Sequence, residues 1–142
     1  MSNNLQVAAY STEDGKIAIY VPTAQALNES SMEDLLSATG VTENYIVMSS
    51  ADLPNADSDF RDAWEIKSGT VVVSLAKAKE ITKQRLRIER EPLLQAQDVA
   101  YMRALEQGAD TTDIVAEKER LRNITDAADD ATTLAELRAI SV

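Results

Sequence analysis

The chain has 142 residues, 44% hydrophobic and 27% charged, a composition that fits one domain, or one small domain with a helical extension. Its formal charge of −10 argues against nucleic acid and anionic membranes as partners, since both demand a net cationic face. Histidine and cysteine are both absent, which removes the usual general base, the thiolate nucleophile, disulfides and the commonest metal ligands.

The N-terminus, MSNNLQ, lacks the basic and apolar regions of a signal peptide. No apolar run approaches the roughly 20 residues of a membrane span, so a soluble chain outside the Sec route is expected. The runs LQVAAYS and KIAIYV are joined across Thr12, Glu13, Asp14 and Gly15, a hairpin pattern in which Asp-Gly supplies the positive φ, and Pro22 closes it. Ser30 and Glu33 form a capping box ahead of MEDLLSAT, with Gly40 at the C′ position, which predicts a helix from about Ser31 to Thr39.

NYIVMSS then reads as a strand and DLPNADSDF as a loop dense in turn-forming residues. AWEI and TVVVSL flank Lys67, Ser68 and Gly69 as a second hairpin. The expectation for this part is a small antiparallel sheet carrying one helix, with Trp64 in the core packing that helix on that sheet. Asn55, Asp57 and Asp59 mimic three positions of a calcium loop. Phe60 stands where the turn glycine belongs and Ile66 where the bidentate glutamate belongs, so the segment reads as a solvated acidic loop.

From Leu75 to Gln107 there is no glycine and a single proline, Pro92. A helix of that length extends on the order of 50 Å. Leu75, Ala78, Thr82, Leu86, Leu93, Ala96, Ala100 and Ala104 share one arc, and Ile81, Ile88 and Val99 form a second short row. On the third side Lys79, Lys83, Arg87 and Arg90 give way to Leu94, Tyr101 and Leu105, so the second half is apolar almost all round and is expected to be covered on all sides. Pro92 deletes one backbone bond to Ile88 and predicts a kink or a break.

Gly108 ends this helix, and Asp110 reads as N-cap of a second helix from about Thr111 to Asp130, with Ile114, Leu121, Ile124, Thr125 and Ala128 on one face. That helix is expected to fold back antiparallel on Leu94, Tyr101 and Leu105. Thr133 with Glu136 opens a short C-terminal helix carrying Leu134, Leu137 and Ile140.

Charge divides the chain where periodicity does. Residues 1–74 carry 3 basic and 11 acidic side chains, 75–108 carry 7 and 5, and 109–142 carry 4 and 8. The fold class is therefore α+β: a small N-terminal antiparallel β domain over 1–74, then a long helix and helical hairpin over 75–142. The basic row of the long helix is interleaved with Glu80, Glu89 and Glu91 and has no aromatic to stack a base, so it suits an acidic protein surface better than a nucleic acid.

Catalytic constellations are thin. Four glycines in all, none clustered, leave no dinucleotide or phosphate loop. Carboxylate-only glycoside hydrolysis needs a cleft lined with aromatics, and aromatics are 4% of the chain. No cofactor and no catalytic residue is expected. The alanine seam instead favours close helix packing in a homo-oligomer or a partner, and Leu86, Leu93, Leu94, Ala100, Tyr101, Leu105, Ile114 and Leu121 are the candidate interface residues.

The run KQRLRIEREPLLQAQDVAYMRALEQG, followed by EKERLRNITD and TLAELRAI, resembles the C-terminal segment of short proteins encoded among bacteriophage and prophage tail-fibre and baseplate genes. The stretch YIVMSSADLPNADSDFRDAWEI is similar to the module that often precedes it, so the resemblance spans roughly residues 44–140. It implies a non-enzymatic virion tail component, made in the bacterial cytoplasm. Its implied partners are tail-fibre or baseplate proteins and further copies of itself, as a trimer or hexamer. The alternative it implies is a tail-fibre assembly chaperone absent from the mature particle.

Overall fold

The computed structural model describes residues 5–142, which form two compact units, residues 5–74 and 75–142. In the first unit, β1 (Gln6–Ser11) pairs antiparallel with β2 (Ile17–Tyr20) on one edge and with β3 (Tyr45–Ser49) on the other. The first hairpin is as the sequence indicates: Gly15 adopts φ 79°, and Asp14 accepts from the Thr12 hydroxyl and the Lys16 N–H.

As the central strand, β1 is covered on both faces, which is why VAA lacks the polar alternation of an edge strand. Ala8 faces Met32 and Leu36, with Tyr10, Tyr20 and Tyr45 around them, while Ala9 faces Ile17, Trp64 and Val71. Two alanines at the centre let both flanking layers approach the strand closely.

The helical layer consists of α1 (Ala24–Glu29) and α2 (Met32–Ala38). The first was not anticipated. Its N-cap is Thr23, and its end is closed by the Ser30 N–H donating to the Ala26 carbonyl at 2.9 Å. Ser30 is thereby committed to ending α1, so the cap of α2 falls one residue later than expected, on Ser31, whose hydroxyl accepts from the Asp34 N–H at 3.1 Å. At the other end Gly40, at φ 93°, donates to Ser37 and Val41 donates to Leu36, a Schellman pair that satisfies the last carbonyls.

A single sheet was expected, but the described residues form two. Strands β4 (Trp64–Lys67) and β5 (Thr70–Val73) form their own two-stranded sheet, lying across the Ala9 face of the first. Trp64 is core, yet it does not pack the helix on the sheet. It fills the space between the two sheets, on the opposite side of β1 from α2. The acidic segment expected as a loop is 3₁₀ structure over Asn55–Ala63, interrupted by non-helical dihedrals at Asp57 and Phe60. It seats Trp64: the indole N–H donates to the Asp57 carbonyl at 3.4 Å, and the Arg61 guanidinium stacks 4.4 Å from the ring centre.

The second unit is organised on α3 (Leu75–Gln107), which runs through Pro92 without a break. Pro92 and Ile88 both lie on an exposed face, where water can serve the Ile88 carbonyl that proline leaves without its i+4 donor. Gly108, at φ 66°, reverses the chain; its N–H donates to Leu105 and that of Ala109 to Ala104. The return leg is α4 (Thr112–Asn123), α5 (Asp126–Asp130) and α6 (Leu134–Ala139).

Candidate interaction surface

The return leg is fastened to α3 by cations seated on helix C-termini, where the last carbonyls have no partner within their own helix. The Arg90 guanidinium donates to the carbonyls of Leu121 at 3.2 Å and Arg122 at 2.7 Å. Lys79 donates to the Asp129 carbonyl at 2.9 Å, and Lys83 pairs with the Asp129 carboxylate at 2.5 Å. Arg85 reaches the carbonyls of Ile140 at 2.9 Å and Leu137 at 3.5 Å. Each of α4, α5 and α6 thus ends on a side chain from the first half of α3.

This arrangement corrects two expectations. The basic row is not left open for an acidic protein surface: Lys79, Lys83 and Arg90 are used within the unit. The single second helix over 111–130 is split into α4 and α5, and at the break Arg90 donates to the two carbonyls that a continuous helix would offer to residues 125 and 126. Ile124 and Ala128 instead bond three residues back, to Leu121 and Thr125. The start of α4 also shifts: Thr111 is at the cap position, while Asp110 accepts from the N–H and hydroxyl of Thr112 at 3.0 and 2.6 Å. Those two bonds, the hydroxyl's first, hold the Asp110 carboxyl below its ordinary pKa.

Along the distal half, Lys118 of α4 bridges to Asp98 at 2.7 Å and lies 5.2 Å from the centre of the Tyr101 ring. The antiparallel return is therefore as expected, and it half-buries Leu94, Ala100, Tyr101 and Ile114. Leu86 and Leu121 are fully buried inside the unit, together with Ala78, Thr82, Ala128 and Leu137. As candidate interface residues these two are corrected: they hold α3 to its own return leg. Thr82 is accommodated there because its hydroxyl donates to the Ala78 carbonyl at 2.9 Å.

The remaining expectation, that the distal half of α3 is covered on all sides, does not hold within the chain. Helix α4 covers one side only. Leu93 is 41% exposed, Val99 50%, Met102 58%, Leu105 54% and Ile88 75%. Pro92 and Ala96 are exposed beside them. Of the candidate interface residues, Leu93 and Leu105 lie on this open surface. Met102, Pro92 and Ala96 were missed as surface residues. The signal was in the sequence, as the row Ile81, Ile88 and Val99, which diverges from the buried arc by about a third of a turn.

No described helix is long and apolar enough to cross a membrane, and among the described residues no group of three or more His, Cys, Asp or Glu could hold a metal ion. What the geometry offers is one continuous helix whose distal half exposes Leu93, Val99, Met102 and Leu105 beside Glu91, Asp98, Arg103 and Glu106. Compared with protein-family models, curated proteins and solved structures, the chain matches none.

Proposed function

We propose that this chain is a non-enzymatic bacteriophage tail protein that joins fibre or baseplate components through the open side of α3. The observation that carries the reading is the set of Leu93, Val99, Met102 and Leu105 on the distal half of α3, each at least 41% exposed, with Ile88, 75% exposed, just ahead of it. Single exposed apolar residues are ordinary, but several close together on one helix mark a surface that another protein covers. The resemblance of residues 44–140 to proteins of tail-gene regions supplies the setting. The absence of histidine and cysteine from the chain fits a role in packing rather than in chemistry.

The test is made in the producing phage with Val99→Asp and Met102→Asp, chosen because both sites are exposed and neither holds the unit together. Tail assembly is expected to fail while the purified variant keeps its helical circular dichroism. Mass spectrometry of purified wild-type particles is expected to find the protein in the tail. Its absence from particles whose assembly still requires it would replace the structural part with a transient assembly chaperone acting through the same surface. Normal assembly of both variants would overturn both readings.

A further inference from the structure

The open apolar side of α3 is bounded by two opposite charges placed symmetrically. Glu89 stands seven residues before Ala96 and Arg103 seven residues after it. At 100° per residue both project within about 20° of the Ala96 direction. Between them this side presents Pro92, Leu93, Ala96 and Val99, all exposed, with Ala100, half-buried by α4, at its edge.

We propose that this side pairs with the same side of a second copy of the chain, antiparallel, about a two-fold axis passing through Ala96. The inference rests on the tail reading and names an occupant for the Leu93 and Val99 part of its surface, from which Met102 and Leu105 project away. A half-turn about that axis sets Glu89 of each copy against Arg103 of the other, giving two reciprocal ion pairs. It also sets Leu93 against Val99 and Pro92 against Ala100, each twice. The smallest side chain of the set lies at the crossing, where helix axes come within about 8 Å. The parallel alternative would set Glu89 on Glu89 and Arg103 on Arg103, so the charge pattern complements itself in one direction only. Glu89 now accepts from Arg85 at 3.1 and 3.2 Å in its own helix, an exposed contact that contributes little and does not compete strongly with pairing between copies. The interface is isologous and closed, as a two-fold dimer requires.

The experiment uses the full chain, which contains no cysteine, so a single introduced thiol reports its own neighbourhood. Sedimentation across a dilution series is expected to show a monomer–dimer equilibrium. Glu89→Arg or Arg103→Glu alone sets like charges together and is expected to weaken the dimer about tenfold, while an equimolar mixture of the two restores it as a mixed dimer. On mild oxidation, Ala96→Cys is expected to cross-link to itself. Glu89→Cys and Arg103→Cys, roughly 21 Å apart along the helix, cross-link only when mixed. A monomer at every concentration, no restoration in the mixture, or self-cross-linking of Glu89→Cys would each overturn the antiparallel pair. A monomeric outcome leaves the tail reading standing, since particle content and the assembly phenotype of Val99→Asp decide that separately.

Discussion

Arg90 and Arg122 meet through unlike parts, the guanidinium of the first donating to the backbone carbonyl of the second at 2.7 Å. That bond, with its neighbour to Leu121, closes the end of α4 beside the turn at Ile124 and Thr125. Replacing Arg90 with Met keeps the aliphatic stem and removes the donors, leaving the part-buried Leu121 carbonyl with only the 3.5 Å bond from the Ile124 N–H and the exposed Arg122 carbonyl without the guanidinium. A loss of about 1–2 kcal/mol is expected in urea unfolding, with faster amide exchange at Ile124 and Thr125. Unchanged exchange there would show that the bend is set by something else.

Two leucines on the hairpin give an internal contrast. Leu121 is fully buried against α3, whereas Leu105 is 54% exposed on α3 itself. Leu121→Ala is expected to cost about 2–5 kcal/mol and Leu105→Ala under about 1 kcal/mol, both measured by denaturant unfolding. Equal losses would mean that Leu105 is covered in solution, and the concentration dependence of the midpoint would then tell whether a second copy covers it.

Pro92 lies inside a continuous helix and on its exposed side. Pro92→Ala restores a backbone donor and relieves the clash with Ile88, a gain set against roughly 3 kcal/mol for proline in a helix interior. The unfolded chain gains freedom in the same change, about 0.4–1 kcal/mol in the opposite sense. A net stabilisation of about 1–2 kcal/mol is expected, read as a higher melting temperature, and a lower one would show that proline's shape is required where it stands.

Glu136 supplies a dependence on pH with a definite sign. The Thr132 backbone N–H donates to its carboxylate at 2.6 Å, and the Thr132 hydroxyl adds a weaker bond, so its pKa is held below the ordinary 4.5. A folded-state pKa below the unfolded one gives stability that is present above pH 4.5 and is lost as the pH falls through the folded value. Wild type is therefore expected to melt above Glu136→Gln at neutral pH, and the gap between the two curves is expected to narrow below about pH 4.5. A constant gap down to about pH 3 would exclude the ionised carboxylate as its source.

Local signals were legible wherever a residue type is tied to one backbone geometry. Asp14-Gly15, Ser68-Gly69, Gly40 and Gly108 gave both hairpins and two helix ends, because positive φ is costly for most other residues. Thr133 and Glu136 gave the last helix in the same way, the Thr133 hydroxyl accepting from the Glu136 N–H at 3.1 Å. Helix α1 escaped because AQALNE carries only one large apolar residue, Leu27, and so has no periodicity to detect. The position of Trp64 escaped because alternation shows which residues of β1 face opposite ways, but not which layer covers each face. The fastening of α4, α5 and α6 was invisible for a deeper reason: apart from the Asp129 carboxylate held by Lys83, its acceptors are backbone carbonyls, which every residue has. Only half of each contact, the cation, is written in the sequence, and the row Lys79, Lys83 and Arg90 looked like a surface feature. At the candidate surface the sequence marked the apolar content of the distal helix correctly. It could not show that α4 would cover one side and leave the other open.

The antiparallel return of α4, α5 and α6 along α3 brings the C-terminal residues back alongside Arg85, toward the end at which α3 begins. Tension applied across the two ends of this unit therefore does not load its fastenings together. It peels them one after another, Arg85 from Ile140 first, then the lysines from Asp129, and Arg90 from Arg122 last. Such a unit yields in steps, as a zip does, rather than all at once.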